Sequence, residues 1–460
     1  MNSGRNMPID SFLRTLAGDR GSQAFGVVLS GTGSDGTLGL QAIKAEGGIT
    51  FAQEKRSAKF DGMPGSAIAA GGVDFVLPPA WIARQLVAMA PHFYIRLDPE
   101  QEMEPSNEVD ADLGKVFRLL RSATGVDFTH YKHNTIKRRI RRRMALRGFE
   151  SLEDYIGDLE RTQGEAKALC EDFFITVTAF FREPAVFREL RKRVFPALVA
   201  NRVVEDPVRI WVPGCATGEE AYSIAMNMVE FLDEAALNIP FQVFATDISE
   251  TAVEKARAGI YTQSALAPIS AKQMARFFTR SERGYQIAKS IRDVCVFARH
   301  DLVHDPPFSK VDLVSCCNVL IYLGTVLQRK ALSILHYALK PAGFLVLGPS
   351  ESVGTRSDLF HQVDKRHKIY CPLPAAGAPV PDHGEDRRAG RRVDLQQGMA
   401  KDIRAVQTEA DRLALAEYAP AGVVIDDAMQ IVQVRGRTGP YLELPSGELS
   451  HNVLKMVREA

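Results

Sequence analysis

Along this chain, short apolar runs closed by glycine or proline alternate with stretches in which apolar residues return every three or four positions. That alternation predicts an α/β protein. Residues 208–212 form an apolar, β-branched run ended by Pro213 and Gly214, a buried strand. Ala221, Ile224, Ala225, Met228 and Phe231 then keep helical spacing. Further apolar runs at 241–245, 311–316 and 343–348, the last preceded by a helix at 327–339 and a turn at 340–343, outline a doubly wound sheet. Residues 259–299 interrupt it with turn signals at 281–284 and β-type runs at 285–288 and 294–298, a small β insertion. A final strand is expected at 367–372.

The same patterns divide the rest of the chain. Residues 1–95 read as a partial α/β domain: strand 24–30, glycine loop 31–36, helix 38–46, strand 48–51, a helix from 63 to Gly71-Gly72, strand 73–77 and helix 79–89. One helix and one strand precede the glycine loop, so the sheet has no first half. Residues 96–110 are a polar linker, and 111–185 a small helical domain with helices at 113–124, 135–147, 151–159 and 166–174. The sheet-bearing core spans 186–372, a Pro-, Ala- and Gly-rich linker 373–400, and 401–460 a helix (401–418) followed by alternating residues at 421–436.

Composition narrows the function classes. The chain has 460 residues, enough for roughly two to four domains. Its net charge of +1 gives no global field for nucleic acid. No apolar run approaches the about 20 residues of a membrane span, and 1–20 has no secretory signal pattern. The six cysteines show neither metal spacing nor a disulfide framework, so a reducing cytoplasm is expected and no metal. Charge is concentrated in one place, T-I-K-R-R-I-R-R-R-M-A-L-R at 135–147, where seven of the last eleven residues are basic. Ile136, Ile140 and Met144 form a narrow packing stripe, leaving Lys137, Arg138, Arg139, Arg141, Arg142 and Arg143 for an acidic partner.

The chemistry lies in the turn after 208–212, P-G-C-A-T-G-E-E. It is a nucleotide-type βα turn without G-x-G-x-x-G and without a phosphate-binding lysine. Where a dinucleotide site would place pyrophosphate on the helix N-terminus, Glu219 and Glu220 stand instead. Carboxylates there repel phosphate and suit a cation. S-adenosylmethionine, with its ammonium, sulfonium and adenosine, fits that requirement. Asp247, closing the second strand, is placed to accept hydrogen bonds from ribose hydroxyls.

Two resemblances follow from these residues. V-L-S-G-T-G-S-D-G at 28–36, A-Q-E-K-R-S-A-K-F-D-G-M-P at 52–64 and V-D-F-V-L-P at 73–78 resemble the catalytic domain of the chemotaxis receptor methylesterase. Asp35 matches the aspartate of that family's Ser-His-Asp triad; the serine and histidine belong to a region this chain lacks, so the segment is expected to be inert as an esterase. From about residue 113 to 372, the basic helix, I-T-V-T-A-F-F-R-E at 175–183, T-G-E-E, the A-T-D-I motif and N-V-L-I-Y at 318–322 together resemble the chemotaxis receptor methyltransferase of the CheR type. The fold implied is a Rossmann-like S-adenosylmethionine-dependent core preceded by a small helical domain, here joined to the partial esterase-like domain. The alternating stretch near the C-terminal end resembles the start of a PAS-like domain.

Carried over by position, the resemblance implies donor contacts from Thr176, Thr178, Arg182, Glu220, Asp247, Asp301, Leu302, Cys317 and Asn318, with Tyr322 beside the methyl-transfer point. Arg182 and Tyr322 would also guide the acceptor. Two positions depart from the family pattern, which often has asparagine at Thr176 and arginine at Cys317. A thiol cannot replace a guanidinium, so that charge is supplied elsewhere or substrate binding is weakened. The expected reaction is methylation of glutamate side chains on the cytoplasmic helices of chemoreceptors, with signalling kinases or response regulators as further partners. Neither nucleic acid nor a membrane is an expected partner. The alternatives are a non-catalytic scaffold that keeps donor binding and, behind it, a nucleic-acid methyltransferase using the basic helix. That helix has no interleaved stacking aromatics.

Overall fold

Seven strands carry the core, and their order places the ligand edge. The computed structural model describes residues 7–90, 107–162, 164–174, 178–200, 202, 206–281, 284–373, 422–425 and 431–435. It divides into one unit at 1–373 and a second at 374–460. In the first, strands β4 (Val208–Pro213), β5 (Phe241–Asp247), β9 (Cys295–Arg299), β10 (Val311–Cys316), β11 (Leu339–Leu347), β12 (Phe360–Asp364) and β13 (Ile369–Pro372) form one sheet in the order β12-β13-β11-β10-β4-β5-β9. The five strands from β11 to β9 are parallel; at the other edge β13 pairs antiparallel with β11 and β12 antiparallel with β13. Strand order reverses between β4 and β10, so a crevice opens there at the carboxyl ends.

Period-two alternation in β4 makes the sheet two-sided. Val208, Ile210 and Val212 pack on one face with helix α11 (Glu219–Glu234), while Trp211 packs on the other with β10 and helix α15 (Thr325–Ala338). Trp211 is fully buried and donates its indole N–H to Thr246 Oγ1 at 3.0 Å, so its one polar atom is satisfied. Ser249 caps helix α12 (Glu250–Ala258) by accepting from the Ala252 amide at 3.2 Å. The insertion is a three-stranded antiparallel sheet of β6 (Ile260–Tyr261), β8 (Gly284–Ile287) and β7 (Phe278–Ser281), with helix α13 (Ala271–Phe277) between β6 and β7.

The run at 294–298, assigned from sequence to that insertion, belongs instead to the main sheet. As β9 it pairs in parallel with β5, turning Cys295 and Phe297 into the core. A half-buried edge strand has the same alternating signature as a hairpin strand, which is why pattern alone misplaced it. The expected turn at 340–343 is likewise absorbed into β11, which starts at Leu339.

The helical domain comprises α5 (Asn107–Thr124), α6 (His133–Arg147), α7 (Leu152–Arg161) and α8 (Glu165–Phe173). Its core holds Val116, Leu120, Phe128, Tyr155 and Leu169 together with the stripe Ile136, Ile140 and Met144. The N-terminal fragment is α1 (Pro8–Arg20), β1 (Phe25–Val28), α2 (Thr37–Ala45), β2 (Ile49–Gln53), α3 (Gly62–Ala69), β3 (Phe75–Leu77) and α4 (Pro79–Met89), with its three strands parallel in chain order. In the second unit, β14 (Gly422–Ile425) and β15 (Ile431–Arg435) pair antiparallel. The expected helix at 401–418 and the remainder of the PAS-like stretch lie outside the described residues.

The arginine face of α6 is not left whole for an outside acidic partner, as its sequence suggested. Arg142 is fully buried, donating from Nη2 to Asp74 at 2.5 Å, from Nε to the Gly48 carbonyl at 3.1 Å and from Nη1 to Asp172 at 3.4 Å. Arg139, also buried, donates to the carbonyls of Lys44 (2.8 Å) and Ala45. Ala145 joins Ile49, Phe51, Ile82 and Met89 in one apolar cluster. Arg143 makes a bidentate pair with the buried Glu165 at 2.7 and 2.9 Å, and Arg138 stands 3.9 Å from Glu46. The N-terminal fragment therefore covers the helix, and most of these arginines are used within the chain. A charge run carries no record of acids that sit 68 residues away. Lys137 and Arg141 alone of the six have no side-chain ion pair or hydrogen bond among the described residues.

Candidate functional site

At the reversal of strand order lies a cavity of about 250 Å³. Its wall takes Gly214, Ala216 and Glu220 from the βα turn, Ser315, Cys317, Asn318 and Tyr322 from the end of β10 and beyond, Thr178 and Arg182 from the segment before α9 (Pro184–Glu189), and Gly348 after β11. Arg366, His367 and Lys368 from the β12–β13 turn complete it.

The turn after β4 needs its glycines. Gly214 has φ +70, and a Cβ there would collide with the Val319 side chain; Gly218 has φ +96 and starts α11 against Ala256. Among the described residues, six without a glycine's freedom take positive φ. Ala216 (46), Asn318 (60) and Lys368 (53) line the cavity, and Phe181 (47) precedes Arg182. Left-handed backbone at such residues is strained and collects at functional sites.

Glu220 is the cavity's central acid. Ser315 Oγ donates to its Oε1 at 2.6 Å, and the Cys317 thiol also hydrogen-bonds it. Burial lifts its pKa from 4.5 to about 7, against those two bonds and the Arg182 charge, with nearby Glu351 adding to the rise. Glu219 is raised to about 7 as well, chiefly by burial; it faces away from the cavity and accepts from Thr217 Oγ1 at 2.7 Å. Asp247 lies just behind the lining. Its Oδ2 accepts from the Ala216 amide at 2.8 Å and its Oδ1 from the Ser249 amide at 2.9 Å, so it fixes the backbone of both turns at the cavity's floor. Burial raises its pKa despite these bonds.

Asp301 and Leu302 do not line the cavity. Asp301 shapes the loop after β9, accepting from the amides of Val303 (2.8 Å) and His304 (3.2 Å) and pairing with the His304 ring at 2.9 Å. The amide of His300 donates to the Asp247 carbonyl at 2.9 Å, which sets this loop beside Asp247. Thr176 lies outside the described residues. Tyr322 reaches the cavity from the turn that binds the helical domain: Lys132 donates its amide to the Tyr322 carbonyl at 3.0 Å, and Gly324 donates to His130 at 2.9 Å. Burial raises the Tyr322 hydroxyl's pKa, with the charges of Arg139 and Arg182 pulling it down.

Sequence reasoning passed over Glu351. It is 4 % exposed and accepts from three amides, Asn318 and Gly348 at 2.8 Å and Ile321 at 3.3 Å, fastening the loops after β10 and β11 to each other. Only a glycine at 348 leaves room for that carboxylate, since a Cβ there would stand 2.8 Å from it. The Arg366–Lys368 turn was also missed, although the basic run K-R-H-K at 365–368 marks it locally. Among the described residues, Glu189, Asp364 and His367 bring possible ligand atoms within 4.8 Å of one another. Asp364 pairs with His367 at 3.0 Å and Glu189 with Arg193 at 2.9 Å, so each is already engaged. In the N-terminal fragment, Asp35 accepts from the amides of Ile9 (3.2 Å), Asp10 (2.9 Å) and Gly36 (2.9 Å) and thereby anchors the start of α1.

Comparison with known proteins adds the following. The SAM-binding domain of the CheR methyltransferase matches residues 176–369, its all-alpha domain 111–174, and the CheB methylesterase 1–86. Chemotaxis protein methyltransferase 1 of Pseudomonas aeruginosa is 30% identical over 260 residues, 55% of this chain and 94% of that protein. An uncharacterized 104.1 kDa protein in the hypE 3′ region of Rhodobacter capsulatus is 35% identical over 99% of this chain, which spans 50% of that protein's length. Among solved structures, the Thermotoga maritima CheB methylesterase catalytic domain is 37% identical with a TM-score of 0.17, covering 17% of this chain and 41% of its own.

Proposed function

Because the chain belongs to the CheR methyltransferase family, we propose that its core transfers a methyl group from S-adenosylmethionine to glutamate side chains of chemotaxis-type receptors, forming γ-glutamyl methyl esters. The observation that carries this reading is Glu220, a half-buried carboxylate in the cavity wall whose hydrogen-bond donors are a neutral hydroxyl and a thiol. Such a group is costly to ionise until a cation arrives, and the donor's ammonium is that cation. The strained backbone of Ala216 and Asn318 supports the fit by bringing main chain close to the bound molecule.

Bound S-adenosylmethionine supplies an electrophilic methyl on a sulfonium. The residues here have to position and exclude. Glu220 holds the ammonium; Asp247, on the neighbouring strand end, receives the ribose hydroxyls. Thr178, Cys317 and Asn318 line the donor's path, and Asp301-Leu302 border its adenosine end. Arg182 acts electrostatically on both Glu220 and Tyr322, so it stands between the donor's amino-acid end and the acceptor. The acceptor is a carboxylate already ionised at neutral pH, so no general base is required. Tyr322 orients it by a hydrogen bond. Attack neutralises carboxylate against sulfonium, and the cavity's work is alignment in a place with little water.

Receptor helices, rich in carboxylates, are the partner. Lys137 and Arg141 remain for steering them, with Arg138 and Arg143 at the margin; Arg139 and Arg142 are withdrawn from that role by their burial. Asp35, occupied by three amides, offers no esterase chemistry within this chain. Signalling kinases or response regulators as further partners, and a cytoplasmic site of action, follow from the same reading. Calorimetric titration with S-adenosylmethionine, followed by methyl transfer to receptor-containing membranes, tests it. Donor binding without receptor methylation would favour the scaffold alternative. No donor binding would end the reading.

A further inference from the structure

The turn between β12 and β13 brings to the cavity two cations that no described residue neutralises. Asp364 builds the turn: its Oδ1 accepts from the amides of Arg366 (2.9 Å) and His367 (3.0 Å), and its Oδ2 pairs with the His367 ring at 3.0 Å. The Leu347 amide donates to the Lys368 carbonyl at 3.1 Å, tying the turn to the end of β11. Lys368 itself takes φ +53, a strained conformation for a side-chain-bearing residue. His367 is engaged by Asp364. Among the described residues, the side chains of Arg366 and Lys368 have no hydrogen-bond or ion-pair partner, yet both line the cavity. Lys368 is only half exposed.

Charge bookkeeping around the cavity then points to a ligand. The reaction proposed above brings two carboxylates to this place, one on the donor's amino-acid end and one on the acceptor. The donor's ammonium and carboxylate sit on the same carbon. The Glu220–Arg182 side of the cavity offers both signs for them. Arg366 and Lys368, on the β12–β13 turn, are left for the other carboxylate.

Resting on that reading of the reaction, we infer that Arg366 and Lys368 form the subsite that receives the methyl-accepting glutamate carboxylate. Lys368, half-buried at the lining, holds it beside Tyr322, and the exposed Arg366 guides it in. They are positioning residues: once the ester forms the carboxylate charge is gone and their hold on it weakens, which favours product departure.

The test uses the full chain with a receptor-helix peptide carrying glutamate, the same peptide as its γ-methyl ester, and S-adenosylhomocysteine. The wild type is expected to bind the glutamate peptide more tightly than its ester. Lys368→Gln and Arg366→Gln should shrink that preference, and Lys368→Gln should raise the peptide KM by roughly tenfold or more, the range for one hydrogen bond to a charged group. Affinity for S-adenosylhomocysteine should stay unchanged, and Lys368→Arg should restore the preference. A Lys368→Gln variant that keeps the wild-type preference overturns the subsite while leaving the reaction intact. A parallel fall in S-adenosylhomocysteine affinity assigns these cations to the donor's carboxylate and overturns it too. A wild type indifferent to glutamate versus ester removes both the subsite and the reaction it serves.

Discussion

Arg142→Met is the sharpest probe of how the N-terminal fragment is held. Methionine keeps the apolar stem and removes a guanidinium that is fully buried between Asp74, Asp172 and the Gly48 carbonyl. Removing one partner of a buried ion pair costs about 3–5 kcal/mol. Asp74 would still have Lys44 at 3.2 Å and the Thr50 amide and hydroxyl at 3.0 and 2.9 Å. The loss should therefore fall near the lower end, about 3 kcal/mol. At about 2 °C per kcal/mol for a large unit, Tm should drop by roughly 6 °C, with amide exchange accelerated first in β2 and at the C-terminal turn of α6. Burial pushes the Asp74 carboxyl up, but Arg142 and Lys44 overcome it and hold its pKa below 3.8. A carboxyl depressed in the folded state stabilises above its unfolded pKa, and that contribution is lost as pH falls through the folded one. Wild-type protein should thus lose this increment below about pH 4, and the variant should have little of it to lose. Scanning calorimetry with hydrogen exchange reads both effects. An unchanged Tm with unchanged exchange in β2 would mean that the fragment is not held by this pair.

Three further expectations concern the cavity and the fragment. Asp247→Ala should weaken S-adenosylmethionine binding roughly ten- to hundredfold through lost ribose hydrogen bonds; unchanged affinity by calorimetry takes Asp247 out of the site. Because burial lifts Glu220 to about 7, donor affinity should rise with pH up to that value and level off above it, with proton release on binding at lower pH. A raised carboxyl pKa also means that the ligand-free protein loses stability as pH climbs from about 4.5 through about 7, and Glu220→Gln should reduce that slope to the part Glu219 contributes; a wild-type profile flat in both affinity and Tm refutes the assignment. Finally, this chain should release no methanol from methylated receptor, and any release abolished by Asp35→Ala would overturn its reading as an anchor for α1.

Much of the frame was legible because burial writes itself into spacing. β10 was read to the residue from a short, mostly apolar run, and the βα turn was legible because glycine and proline close β4 abruptly. What escaped was set by distant partners. β9 looks like any half-buried strand until β5 is placed beside it. The arginines of α6 read as a face for an outside acidic partner because Asp74 and the Lys44 and Ala45 carbonyls that receive them belong to another segment. Glu351 follows a strand as many surface glutamates do, and only folding brings three amides onto it. For the cavity, the donor side was legible from motif order, whereas the basic run at 365–368 gives no hint in sequence that the end of β11 holds it at the cavity.

A carboxylate that fastens three amides from two loops leaves those loops one motion instead of two. Through Glu351, the stretch 318–321 and Gly348 form a single jaw, and parting them would strand a buried charge. In the reaction proposed above, passage of receptor helix and spent donor would then fall to the cavity's lip outside that jaw, where Arg182 and Arg366 are exposed. Turnover paced by that passage would slow in viscous solvent, and changes on the lip would alter the pace while changes within the jaw would abolish it.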